Sequence, residues 1–152
     1  MIEFIGNMEA KTDMKGRVFL PAQFRKQLQV ASEETLIMQK DAYACCLVLY
    51  PHSVWNSTQQ ELRTHLRRWN PKHEMVWRQF VSDVEVVVPD SNGRILIPKR
   101  YLNLAGICDE VRFIGVGDKI EIWAKEKAEA PFMPPADFAA ALEEIMSNDV
   151  AQ

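Results

Sequence analysis

The sequence predicts a mainly β protein with short helices, an α+β chain. Two similar halves share one core and close their strands into a pseudo-twofold β-barrel, with a helical insert between them. Three observations predict this. Residues 13–28, DMKGRVFLPAQFRKQL, return as residues 90–105, DSNGRILIPKRYLNLA, at a constant offset of 77. Short apolar or β-branched runs flank both copies at matching places. The stretch between the copies shifts to helical spacing.

The elements follow in order. FIGNMEAK (4–11) and DVEVVV (83–88) read as the strand that opens each half. Asp13-x-x-Gly16 and Asp90-x-x-Gly93 then read as turns. Aspartate bonds backbone amides two residues on, and glycine accepts a positive φ. VFL and ILI are short buried strands, stopped by Pro21 and Pro98. Proline suits the first turn of a helix, so AQFRKQL and KRYLNLA read as helices of about two turns. Gly106 is placed to cap the second. TLIMQK (35–40) with CLVLY (46–50), and VRFIGV (111–116) with KIEIW (119–123), complete each half. A four-strand half of about 50 residues cannot bury both faces alone, whereas two copies complete a common core. Closing the strands into a barrel would also remove exposed edges.

Residues 51–82 differ. Pro51 fits a helix start, and Trp55, Leu62, Leu66 and Trp69 recur at helical spacing. Asn70-Pro71 breaks the pattern. A second helix over Glu74–Val81 carries Met75, Trp77 and Phe80. In the tail, Pro131, Pro134 and Pro135 make a stiff linker. DFAAALEEIMSN follows as a helix with one apolar stripe, Phe138, Leu142 and Ile145. The chain thus divides into a first half (1–50), an insert (51–82), a second half (83–128) and an acidic, proline-containing tail (129–152).

Composition narrows the function. The chain has 152 residues, 47% hydrophobic and 26% charged, which excludes wholesale disorder. No apolar stretch reaches the ~18 residues of a membrane span. The opening MIEFIGNMEAK lacks the basic-then-apolar pattern of a secretory leader, so the cytosol is expected. The net charge of −3 hides an asymmetry. Residues 1–100 hold 14 Lys/Arg against 11 Asp/Glu, and residues 101–152 hold 4 against 10. Such a split hints at a localised polyanion site in the first part.

Cys45, Cys46 and Cys108 form no CxxC pair and read as small apolar filler. His52, His65 and His73 form no ligand cluster and read as solvated or capping side chains. No metal site and no cofactor is expected. There is no P-loop, HExxH or hydrolytic Ser/His/Asp order. An enzyme is not expected.

The tips of the two Asp-x-x-Gly-Arg turns carry the functional weight. Lys11, Lys15 and Arg17 lie within seven residues, opposed only by Asp13. Arg94 follows Asn92, with Lys99 and Arg100 on the next helix. Arg and Lys bond guanine edges or phosphates, Asn bonds adenine, and a two-stranded ribbon fits the major groove. The candidate DNA-binding residues are Lys11, Lys15, Arg17, Asn92 and Arg94, with Asp13, Gly16, Asp90 and Gly93 shaping the turns. The alternative is an Asp–Arg pair that only stabilises each turn. A turn needs Asp and Gly but not Arg, so two copies with Arg in register favour function. A second basic run, Arg63, Arg67, Arg68, Lys72 and Arg78, reads as a solvated helix face rather than a phosphate track.

D13-M-K-G16-R17-V-F-L-P21 and D90-S-N-G93-R94-I-L-I-P98 resemble the paired turns of the MraZ family, bacterial transcriptional regulators within the AbrB-like (SpoVT-AbrB) DNA-binding group. The resemblance covers about residues 1–128, including GDKIEIWAKEK (117–127). It implies a swapped-hairpin β-barrel of AbrB type made by the two halves of one chain. It implies homo-oligomeric rings, and repression through double-stranded DNA at short direct repeats in the promoter of the regulator's own division and cell-wall gene cluster. It implies a cytoplasmic, nucleoid-associated protein with no membrane and no small-molecule substrate. DNA contact falls on that likeness to Lys15, Arg17 and Arg94, with Asp13 and Asp90 shaping the turns. Asn92 stands where the first copy has Lys15, so the second tip should draw phosphate less. Two other readings are an AbrB-like antitoxin, which needs a longer tail and one copy, and an assembly module whose tips bind protein.

Overall fold

Among the described residues eight strands and five helices follow one another, the two halves of the repeat giving the same element order. A computed structural model describes residues 2–127 and 129–151. The first half supplies β1 (Phe4–Lys11), β2 (Arg17–Phe19), α1 (Ala22–Val30), β3 (Leu36–Lys40) and β4 (Leu47–Pro51). The insert supplies α2 (His52–His65) and α3 (Pro71–Ser82). The second half supplies β5 (Val84–Val87), β6 (Arg94–Leu96), α4 (Lys99–Leu104), β7 (Glu110–Gly117) and β8 (Ile120–Ala124). A single 3-10 turn over Lys125–Lys127 leads towards α5 (Pro135–Ala151).

Six strands form one antiparallel sheet in the order β1-β7-β8-β4-β3-β5, and β2 pairs with β6 in a separate ribbon. Exchanging the halves leaves this order unchanged. Each opening strand leaves its own half: β1 pairs with β7, and β5 with β3. The central pair, β4 with β8, joins the halves directly.

The closed barrel expected from the sequence is not what the described residues form. β1 and β5 are both sheet edges, and no register joins them. The ribbon and the two repeat helices lie against the sheet's inner face instead. Val18 and Ile95 from the ribbon, and Phe24, Leu28 and Tyr101 from α1 and α4, join Phe4, Leu36, Met38, Leu49, Phe113 and Ile122 in one core. The Phe4 and Phe24 rings meet edge to face at 5.4 Å. Sequence patterning favoured closure as the way to protect edges; helices and ribbon bury the same apolar surface without a strand-to-strand bond.

All five residues of β4 are buried. Leu47 and Leu49 face the main core. Val48 and Tyr50 face outward, into a second cluster with Ile37, Trp55 and Phe80. The insert therefore covers the outer face of β3 and β4. Trp55 of α2 lies 5.4 Å from the Tyr50 ring and stacks on Phe80 of α3 at 5.3 Å.

Two sequence readings of the insert need correction. α2 ends at His65, so Trp69 does not continue its apolar face. Leu66 is extended, and Trp69 sits at φ 71 with 87% exposure. The helix has already ended before Asn70-Pro71, which instead starts the next one, three residues before the expected start. The Asn70 side chain accepts from the backbone N–H groups of Lys72 and His73, and Pro71 occupies the first turn, where no N–H is needed.

Candidate nucleic-acid interface

The two Asp-x-x-Gly-Arg segments fold into turns that are nearly congruent. In the first, Asp13 Oδ1 accepts from the backbone N–H groups of Lys15 and Arg17, each at 2.9 Å. Asp13 Oδ2 accepts from Arg17 Nε at 2.7 Å. The Gly16 N–H closes the turn on the Asp13 carbonyl at 3.0 Å. In the second, Asp90 Oδ1 accepts from Asn92 and Arg94 N–H at 2.9 Å, and Oδ2 from Arg94 Nε at 2.9 Å. Gly93 closes on the Asp90 carbonyl at 2.9 Å.

These bonds depress both carboxyl pKa values below the usual aspartate range. For Asp13 the Arg17 backbone N–H contributes most, partial burial acts the other way, and the Arg17 side chain and Lys15 amide add to the lowering. Asp90 follows the same pattern with Arg94 and Asn92. Hydrogen bonds to the charged form favour it.

Each turn leans on the other half. The Ile97 N–H donates to the Gly16 carbonyl, and the Leu20 N–H to the Gly93 carbonyl, both at 2.9 Å. Gly16 sits at φ 86 with the Ile97 carbonyl and Leu102 of α4 directly behind it. Gly93 sits at φ 84 with the Arg25 side chain of α1 behind it. The Arg25 side chain is itself tied to the Leu20 carbonyl at 3.0 Å.

Strand alternation decides what faces outward. In the ribbon, Arg17 pairs with Leu96, Val18 with Ile95 and Phe19 with Arg94. Val18 and Ile95 are buried. Arg17, Phe19, Arg94 and Leu96 therefore share the opposite face. Arg17 is 37% exposed and Arg94 26%. The Arg94 guanidinium lies 6.0 Å from the Phe19 ring centroid. The arginines thus do form the turn-stabilising pair with aspartate that was weighed as the alternative role. Each Nε is spent on the turn aspartate, and among the described residues no hydrogen bond engages the terminal nitrogens of Arg17 or Arg94.

Lys15 and Asn92 are exposed at the two tips. Lys11, exposed at the end of β1, pairs across to Glu110 and lines a cavity of ≈ 760 Å³ beside the first turn. Lys99 lines it too. By sequence Lys99 belongs to the second tip; the exchange of elements between halves delivers it to the first. No local spacing signals that transfer. Arg100 is elsewhere engaged, bonding both Asp83 carboxylate oxygens at 2.7 and 3.2 Å. The corresponding cavity beside the second turn, ≈ 340 Å³, is lined by Glu33 and Glu34 as well as Arg25. The first tip is therefore the more cationic.

The second basic run is not one helix face: Arg63 lies on α2, Lys72 and Arg78 on α3, and Arg67 and Arg68 in the segment between them. Arg63, Arg67, Arg68 and Arg78 line a cleft of ≈ 640 Å³ with Leu66, Trp77 and Val81. Arg63 rests over the Trp77 ring at 4.5 Å. His73 is a local cap, its Nδ1 accepting from the Arg67 N–H at 2.8 Å. Among the described residues no group of three His, Cys, Asp or Glu side chains could hold a metal ion. No helix there is long and apolar enough to cross a membrane. Cys45 and Cys46 precede β4 in a bend rather than lying on a strand. Cys46 is fully buried, and burial pushes its thiol pKa up to about 12.

Comparison with known proteins places this geometry. The family described as "MraZ protein, putative antitoxin-like" matches residues 4–79 and 80–131. The protein called transcriptional regulator MraZ in Bacteroides thetaiotaomicron is 64% identical over 152 residues, spanning 100% of this chain and 97% of the relative. Its namesake in Phocaeicola vulgatus is 64% identical over 148 residues, covering 97% and 96% of the two chains. The Christiangramia forsetii protein of that name is 36% identical over 150 residues, covering 98% and 96%.

Proposed function

The chain belongs to the MraZ family, and on that premise we propose that it is a sequence-specific DNA-binding regulator of transcription. The observation that carries this is the shared outer face of the ribbon. There, two arginines are each fixed at Nε by an aspartate while, among the described residues, no hydrogen bond engages their terminal nitrogens. A guanidinium held at one nitrogen keeps its remaining donors in a fixed plane, so little rotamer freedom is lost when they meet a base edge or phosphate. Aspartate and arginine thus act as one unit, the carboxylate building the turn and aiming the cation.

Arg17 and Lys15 supply the main contact, with Lys11 alongside. Arg94 and Asn92 supply a weaker one. The targets we propose are short direct repeats in the promoter of this protein's own division and cell-wall gene cluster, and the outcome is repression in a nucleoid-associated cytoplasmic protein. A net acidic chain achieves this by repetition. Copies assembled into a ring present many modest tips to repeated boxes, and effective concentration multiplies weak contacts.

The test is fluorescence anisotropy on the DNA upstream of that cluster, with salt titrated. Arg17→Ala should weaken binding at least tenfold and lower the salt slope by about one for each phosphate no longer neutralised. Assembly mass should be unchanged. Arg94→Ala should do the same to a lesser degree. Wild-type affinity in the double variant, or absence of binding by the native chain at any salt, would return the tips to protein binding.

A further inference from the structure

The cleft between α2 and α3 and the exposed helix α5 are complementary in charge and in apolar pattern. The cleft offers Arg63, Arg67, Arg68 and Arg78, against one carboxylate, Glu74, around His73 and an apolar floor of Leu66, Trp77 and Val81. Among the described residues, none of these arginines forms an ion pair. α5 offers the reverse. Phe138, Leu142, Ile145 and Met146 run along one stripe, with Glu143 on one side of it and Asp137 and Glu144 on the other. These carboxylates also form no ion pair among the described residues. The four apolar side chains stand 46–62% exposed. From residue 128 onward the sequence has five acidic residues and no Lys or Arg.

We propose that α5 of one copy docks in the α2–α3 cleft of a second copy. An amphipathic helix anchors in an apolar groove through residues at i, i+4 and i+7, which is the spacing of Phe138, Leu142 and Ile145. Arginine over an aromatic ring, as Arg63 over Trp77, is a recurrent feature of protein interfaces. A second copy is the occupant because α5 stands clear of its own fold. The linker before it carries Pro131 and Pro134, and such a segment is a semi-rigid spacer rather than a hinge. The contact joins different surfaces on the two partners, so it is heterologous and propagates head to tail. It accounts for the charge asymmetry without DNA: the cationic insert and acidic tail answer each other across copies. The inference is independent of the DNA-binding reading, and its primary readout is assembly in the absence of DNA.

The test uses the full chain and light scattering over a dilution series. Arg67→Glu with Arg78→Glu reverses the cleft. Glu143→Arg with Glu144→Arg reverses the helix. Each pair should raise the concentration at which the assembly dissociates about tenfold, and combining all four should restore it to within about threefold. Leu142→Asp should raise it at least as much. All five positions lie outside the main core, so folding is preserved. An assembly unchanged by either reversal, or reversals that do not rescue each other, overturns the proposal. So does a cleft reversal that spares assembly while weakening promoter binding, because the cleft is then a DNA surface.

Discussion

Gly16 and Gly93 occupy equivalent turns at nearly equal φ, 86 and 84, yet they should not tolerate alanine equally. The left-handed region costs an L-residue roughly 1–2 kcal/mol at either site. The difference comes from what the new methyl meets. At Gly16 a Cβ falls 2.5 Å from the Ile97 backbone carbonyl oxygen. The segment following β6 is held there by the Ile97 N–H bond to the Gly16 carbonyl, so relief requires moving the ribbon and Leu102 together. Overpacking of this kind adds about 1–3 kcal/mol. At Gly93 the Cβ falls 2.6 Å from Arg25 Nη1 and 2.7 Å from its Cδ, both on one flexible side chain rather than on backbone. Swinging it away forfeits at most the bond from Arg25 Nε to the Leu20 carbonyl, about 1 kcal/mol. Gly16→Ala should therefore destabilise by about 1 kcal/mol more than Gly93→Ala. That corresponds to roughly 2–4 °C in Tm for a chain of this size. Thermal unfolding followed by far-UV circular dichroism, at one fixed protein concentration, measures it. Equal losses, or a larger loss at Gly93, would refute the reasoning that the backbone of the other half forms the wall behind the first tip.

Other outcomes follow from the same geometry. Asp13 and Asp90 have depressed pKa values in the folded state, so the stability they contribute is fully present above the ordinary aspartate pKa of ~3.9 and is lost as pH falls through the folded values. The Gly16 and Gly93 amide resonances should hold constant from neutral pH to that value and move together only below it; movement near pH 6 would contradict the assignment. Trp55→Ala removes the side chain packed by Tyr50 and Phe80 and should cost about 3–5 kcal/mol in a urea titration. A loss below about 1 kcal/mol would mean that α2 and α3 are not anchored there.

Where structure depends on near neighbours, the sequence displayed it. The strand bounds Phe4–Lys11 match the run FIGNMEAK, and both Asp-Gly turns, both proline helix starts and the Gly106 cap at φ 67 are where residue chemistry puts them. What depends on partners distant in the chain was hidden. Trp69 keeps helical spacing after Leu66 has turned extended, because periodicity cannot report a backbone that has left the helix. The open sheet was hidden because edge protection has two solutions, a strand bond or a covering layer, and composition does not choose between them. At the candidate interface, the congruent aspartate bonds were foreseeable from Asp-x-x-Gly. The Asp–Arg pair stands there as the alternative to a DNA contact; that it engages Nε and spares the terminal nitrogens among the described residues is what local spacing does not show. The placement of Lys99 beside the first tip required knowing that elements exchange between halves.

That exchange has a consequence for how the two fingers came to exist. Neither is a self-standing loop, because the masonry behind each belongs to its counterpart: Ile97 and Leu102 behind Gly16, Arg25 behind Gly93. A half produced alone would expose its tip with nothing behind it and would have to recruit an identical half to supply the buttress. Joining the halves in one polypeptide makes that recruitment permanent and lets the two tips differ, with lysines beside one and glutamates near the other.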